Sequence, residues 1–254
     1  MTKIYGITSG KGGVGKSTVV ASLGVLLSQM GKKTLIIDAD IAMGSLQLVL
    51  GLQNTPVTLH EVLTGDAEIE EAIYSTYSGL HVIPCSSSLQ SFLRSDLDSF
   101  EDVVSKLDPY DFILVDDSAG LTKYSLAPLK VAEETLLVVT PDLPSISAAL
   151  RMKIAAGMSG SNVTGVIVNK QRRTGIKSDE IRSTLGVEIL GEIPQDDNIL
   201  KSLDAKEPIV LHKPRSPASK AFELLALRIA GEIDDLMVQN NSSFVQRFIQ
   251  RIGR

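Results

Sequence analysis

Short runs of Ile, Val and Leu, alternating with helix-length stretches, constrain this chain more than any other feature. "KIYGITS", "TLIIDAD", "LHVIP", "FILVDD", "TLLVVTP", "VTGVIVNK" and "VEILGEIP" are apolar almost throughout rather than at every second position. A strand with one wet face alternates, whereas a strand covered on both faces does not, so the pattern predicts a parallel sheet enclosed by helices. Helical patterns fall between the runs, over residues 97–107, 145–157, 178–185 and 217–238. Another runs through "TVVASLGVLLSQM" and ends at Gly31, a C′ glycine. Repeated βαβ units give an α/β, doubly wound, mostly parallel sheet with helices on both faces. Ligands in such folds sit beyond the carboxyl ends of the strands. A chain of 254 residues is long enough for one such domain, expected over residues 1–238, with a polar linker at 239–242 and a terminal helix at 243–254.

Composition narrows the classes. Cys85 is the sole cysteine, so one chain can form no intrachain disulfide, CxxC metal site or thiolate-held cluster. His60, His81 and His212 are scattered, without metal-ligand spacing. The net charge of −5 argues against a general nucleic-acid binder. That charge is uneven: the last twelve residues carry three Arg and no acid, which leaves −8 on the remainder. "MTKIYGITSG" lacks the pattern of a signal peptide, and no run approaches the roughly 18 apolar residues of a spanning helix. The expected location is the cytoplasm, peripheral to the inner face of the cell membrane if the tail attaches there.

Between the first strand and the first helix, Gly10 to Ser17 fits G-x-x-x-x-G-K-[ST] in full: Gly10, Lys11, Gly12, Gly13, Val14, Gly15, Lys16, Ser17. Glycines let backbone N–H groups curl around phosphate oxygens, and the helix N-terminus adds partial positive charge. Lys16 supplies a point charge at the β and γ phosphates, the Ser17 hydroxyl is the expected Mg²⁺ ligand, and Thr18, next on the first helical turn, is expected to bind the nucleotide as well. Lys11, one step past the first glycine, has no task in such a loop on its own.

Strand ends supply the other candidates. Asp116 closes "FILV" and is expected to hold the metal, directly or through water. Asp117 points the other way on an extended backbone and reads as a loop or cap residue. Asp38 and Asp40, two apart, share one face of an extended chain. Asp40 is assigned to orienting the attacking water, and Asp38 to a metal-bound water. Asn169 ends another strand, and its amide can read a purine edge. Guanine-specific switches place Asp two residues after the lysine that follows; Arg172 stands there, so adenine is favoured. Pro194, with Asp196 beyond it, ends a further strand and could lie over the base.

Wound as a helix, Phe244, Val245, Phe248, Ile249 and Ile252 fall within an arc of about 140°, with Arg247 and Arg251 opposite. This is a basic amphipathic helix of membrane-surface type. Each buried Phe or Ile gains at most about 1.5–3 kcal/mol and each Arg near an anionic leaflet about 1 kcal/mol. Ordering the segment costs about 1 kcal/mol or more per residue, so one tail binds weakly. Two tails on a dimer gain roughly 10²–10⁴-fold in avidity.

"KGGVGKST", "DADIAMGSL", "VDDSAGL", "VIVNK" and "GEIPQDDNILKSLDAKEPIVLHKPRSPASKAF" together resemble the MinD/ParA deviant Walker-A ATPases, the MinD division-site branch most of all. The resemblance covers about residue 3 to the tail. It implies binding and slow, partner-stimulated hydrolysis of ATP to ADP with Mg²⁺, and an ATP-dependent sandwich homodimer in which Lys11 reaches the partner's phosphates. It implies catalytic roles for Lys11, Lys16 and Asp40, a membrane helix matched by Phe244 to Ile252, and recruitment of a division inhibitor or other adaptor. A relative that places DNA, flagella, pili or chemoreceptor arrays would share the same catalytic residues. Related motifs carry proline before "AG"; here Asp117 and Ser118 precede it.

Overall fold

A computed structural model describes residues 2–41, 44–86 and 99–233. The tail, the linker and the end of the last expected helix lie outside the described residues. Eight strands form one sheet in the order β3-β4-β2-β5-β1-β6-β7-β8. The strands are β1 Lys3–Thr8, β2 Thr34–Asp38, β3 Tyr74–Ser75, β4 His81–Ile83, β5 Phe112–Asp116, β6 Glu134–Val139, β7 Asn162–Gln171 and β8 Ile189–Pro194. All described pairings are parallel except β3 with β4. The two-residue β3 escapes the sequence pattern because it is too short to show a period.

Helices cover both faces, as the continuous apolar runs require. On one face α1 (Lys16–Gln29), α2 (Leu46–Val49), α8 (Asn198–Asp204), α9 (Ile209–His212) and α10 (Pro217–Ile229) pack around Ile7, Leu114, Leu136 and Val138. On the other face α3 (Leu59–Leu63) and α4 (Phe100–Ser105) cover Ile37, Ile113 and Val115, while α5 (Lys123–Lys130), α6 (Leu143–Met158) and α7 (Ser178–Leu185) cover Leu137, Val139, Val166 and Val168. Alternate residues of one strand thus enter different cores. Leu114 faces α1 while Ile113 and Val115 face the opposite layer.

Helix ends follow local chemistry. Gly31, at φ +77°, closes α1 with its N–H on Ser28 O at 2.9 Å and the N–H of Lys32 on Leu27 O at 3.1 Å. These are the paired bonds of a Schellman cap. Helix α6 begins at Asp142, whose carboxylate accepts the Ser145 N–H at 2.9 Å, with Pro144 inside the first turn. It therefore starts two residues earlier than its apolar pattern. The central strand β1 lies between β5 and β6, where the chain's crossovers change direction. Such a switch point opens a crevice at the carboxyl ends of the strands.

Candidate nucleotide site

The loop between β1 and α1 turns into that crevice. Gly13 and Gly15 have φ of +76° and +90°, a region costly for a side chain. A Cβ on Gly12 or Gly13 would meet nothing within 4 Å, so the lip of the loop is open. Gly10 differs, because a Cβ there would lie 2.2 Å from the Ala148 carbonyl carbon of α6. The loop rests directly on that helix backbone. Gly10→Ala is accordingly expected to cost about 1–3 kcal/mol by overpacking and to weaken nucleotide affinity, read by thermal unfolding and nucleotide titration. A variant as stable as the parent would contradict the close packing.

In front of the loop lies a cleft of about 760 Å³, within the usual range for small-molecule sites. Gly12 to Thr18 line one side, with Asp40, Ser45, Ser118, Leu48 and Leu203 among the other walls. Lys16 reaches back from the first turn of α1, and its Nζ donates to Asp116 Oδ1 at 2.7 Å. The two side chains are 7% and 0% exposed. Burial alone would lower the Lys16 pKa, but the Asp116 carboxylate, its hydrogen bond, and the charges of Asp117 and Asp40 hold it above the ordinary value.

Sheet register explains the acid cluster. Asp38 on β2 pairs with Asp116 on β5, so two buried carboxylates end adjacent strands. Burial first, and then the charge of Asp116, push Asp38 well above the usual carboxylate range. Its oxygens accept the N–H of Asp40 at 3.2 Å and of Leu46 at 3.3 Å. Asp38 therefore braces the loop that carries Asp40, from a place behind the residues that line the cleft. Asp40 lines the cleft, and its Oδ1 accepts the Ser118 hydroxyl at 3.0 Å.

Asp117 follows the end of β5, as the loop reading expects, but it is a buried residue. It is fully buried, its N–H bonds Ile7 O at 3.1 Å, and its Oδ2 accepts the Thr8 hydroxyl at 2.5 Å. It points away from the cleft as expected, but into the protein, where burial raises its pKa well above normal. The pair ties β5 to the root of the phosphate loop.

The expected base-binding residues serve the backbone. Asn169 is 1% exposed; its Nδ2 donates to Val14 O at 2.8 Å, and its Oδ1 accepts the Lys170 N–H at 2.9 Å. It sits under the loop, not along the cleft wall. Asp196 accepts the N–H groups of Asn198 at 3.0 Å and Ala218 at 3.3 Å, joining the starts of α8 and α10. Burial alone would raise its pKa, but those hydrogen bonds lower it below the ordinary range. Pro194 ends β8 and, like Asp196, is not part of the cleft lining.

Sequence reasoning missed two partners. Lys170, at φ +55°, curls so that its Nζ donates to Gly13 O at 2.7 Å. Asp142 holds Lys11, with Nζ 2.9 Å and 3.2 Å from its two oxygens. Lys11 thus lies outside the phosphate cleft, in a second cavity of about 370 Å³ that it shares with Asp142, Lys170 and Arg172. No local spacing announces a pair separated by 131 positions.

The residues present fit a nucleotide with Mg²⁺. Ser17 faces the cleft and accepts a hydrogen bond from Ser45 at 2.9 Å. Asp116 keeps Oδ2 buried and without a hydrogen-bond partner among the described residues. A hydroxyl and a carboxylate oxygen are the hard donors that Mg²⁺ takes alongside phosphate oxygens and water.

A glycine-rich loop at the switch point, a buried lysine within it and strand-end acids beside it define a P-loop nucleotide-binding protein. The model of the CobQ/CobB/MinD/ParA nucleotide-binding domain matches residues 5–209. The chain is 38% identical to an ATP-binding protein of Methanocaldococcus jannaschii, over 99% of this chain and 98% of that one. The septum site-determining protein MinD of Pyrococcus horikoshii, solved with Mg-ADP, superposes with a TM-score of 0.87 at 34% identity, covering 93% of this chain and 97% of that one. MinD from the MinC:MinD complex of Aquifex aeolicus gives 0.82 at 33% identity, covering 91% and 97%. The chain belongs to the CobQ/CobB/MinD/ParA nucleotide-binding family, and it is similar to the MinD proteins over most of its length.

Proposed function

We propose that this MinD/ParA-family ATPase is a nucleotide switch that dimerises on ATP, cycles on and off the membrane, and positions the division septum through recruited partners. The observation that carries the reading is the sorting of the two loop lysines. Lys16 is inside the cleft on Asp116, while Lys11 is outside it on Asp142. A lysine that does not serve its own cleft is available to a partner's nucleotide. Its ion pair does not oppose that transfer strongly, since both side chains are over a third exposed and such pairs contribute about 0–1 kcal/mol.

Within the cleft, Lys16 and the loop N–H groups hold the phosphates, and Asp40 orients the attacking water. Ser17 would hold Mg²⁺, with Asp116 and Asp38 as the acids that would reach it through water, and the ion would supply charge neutralisation at the β and γ phosphates. Asp38 contributes by fixing the Asp40 loop. Asn169 and Lys170 brace the loop from below, and contact of Asn169, Pro194 or Asp196 with an adenine base draws its support from their strand-end places in the sequence.

The tail, Phe244 to Ile252, is assigned to an anionic membrane surface, and the Aquifex complex suggests a MinC-like division inhibitor as one adaptor. No helix among the described residues is long and apolar enough to cross a membrane. Co-sedimentation with anionic liposomes tests the cycle. Binding is expected with ATP and Mg²⁺, with at least a tenfold loss in ADP and in a variant lacking residues 243–254. Equal pelleting in both nucleotides, or no effect of the deletion, would contradict the membrane switch. ATP-dependent, salt-sensitive binding to nonspecific DNA instead would point to a partitioning ATPase.

A further inference from the structure

We propose that Ser118 is a positioning residue for ATP hydrolysis: its hydroxyl fixes the orientation of the Asp40 carboxylate toward the attacking water. The proposal rests on the role given to Asp40 above. Asp40 lies two residues beyond the end of β2, past the last backbone bond to β5, Ala39 N–H to Asp116 O at 2.9 Å. Its backbone is anchored through its N–H to Asp38. A carboxylate at the end of such a loop needs a fixed side-chain donor to hold one rotamer.

Ser118 supplies one. It is 6% exposed and is clamped from both sides. The Asp117 N–H bonds Ile7 O at 3.1 Å and the Gly120 N–H bonds Ser9 O at 3.0 Å, so the segment is tied to the root of the phosphate loop. From there Ser118 Oγ donates to Asp40 Oδ1 at 3.0 Å, and both residues line the cleft. A hydroxyl has one proton, and donating it to Asp40 leaves the oxygen's lone pairs as acceptors. A hydroxyl bonded to a carboxylate is charge-assisted and stronger than a neutral pair. Ser118 therefore offers the acid a fixed donor from a segment anchored to the root of the phosphate loop.

Steady-state hydrolysis by the full chain with Mg²⁺ and ATP tests this in Ser118→Ala, Ser118→Thr, Asp40→Ala and the Asp40→Ala/Ser118→Ala double variant. Ser118→Ala is expected to lower kcat about tenfold with KM for ATP within about twofold, since misplaced catalytic groups cost rate more than affinity. Ser118→Thr, which keeps the hydroxyl, is expected to retain most of the parental kcat. In the Asp40→Ala background the second substitution should change nothing further, as expected for groups that act together. Parental kcat in Ser118→Ala, an equal loss of nucleotide affinity, or no rescue by threonine would overturn the proposal. The failures separate. An inactive Asp40→Ala beside a parental Ser118→Ala removes Ser118 alone, whereas a fully active Asp40→Ala removes the role of Asp40 itself.

Discussion

Lys16→Ala will destabilise the nucleotide-free protein and stop ATP turnover, and the two losses have different origins. The ammonium lies at the ends of β2 and β5, where Asp38, Asp116 and Asp117 are all fully buried. Removing one member of a buried ion pair leaves an uncompensated charge and costs about 3–5 kcal/mol. Replacing Asp116 by Asn as well removes that charge, so the double variant should regain more than half of the loss in urea unfolding. Turnover should not return, because the charge at the β and γ phosphates is still missing and such a contact contributes about 10²–10³-fold. A single variant that unfolds like the parent would show that the acids do not depend on Lys16. Stability should also depend on pH with a definite sign. Burial raises Asp38 and Asp117, so the folded state holds protons that the unfolded chain releases. That contribution is complete below the ordinary carboxylate pKa and is lost as pH climbs through the raised values.

Lys11→Ala should have the opposite profile. Its partner Asp142 is held independently by its role as the N-cap of α6, so the fold loses only an exposed pair of about 0–1 kcal/mol. Lys11 does not line its own phosphate cleft, and the monomer should bind ATP within about threefold of the parent. What it should lose is everything that needs two subunits: the ATP dimer, membrane retention through paired tails, and hydrolysis stimulated by a partner protein. Loss of at least a hundredfold in dimer affinity is expected, the scale of removing a desolvated charge contact at an interface. Unaltered dimerisation would assign the crossing role to another residue.

How much of this was legible depended on whether the signal was local. The strands could be read because burial on both faces keeps polar residues out of the strand interiors, as at Leu35, Ile36 and Ile37, which are all buried. The loop from Gly10 to Ser17 could be read because cradling phosphate needs glycine and lysine at fixed steps. The burial of Asp117 was not legible because alternation tells which side a residue faces, not whether that side is solvent. Here it is the Thr8 hydroxyl under the sheet end. The bracing contacts of Asp38 were not legible because the N–H groups of Asp40 and Leu46 reach its carboxylate only once the loop after β2 has folded back on the strand end. Lys170 and Asp142 were invisible because their partners, Gly13 and Lys11, are far away in sequence and meet them through the order of β1, β6 and β7.

The mass of the protein in solution, measured by light scattering with Mg²⁺ and each nucleotide, tests most directly whether one subunit's lysine answers to the other's ATP. Asp40→Ala, which should block hydrolysis, is expected to be a dimer in ATP and a monomer in ADP, and adding Lys11→Ala should return it to a monomer in both. A dimer that forms equally in ADP, or one that survives the loss of Lys11, would contradict the account.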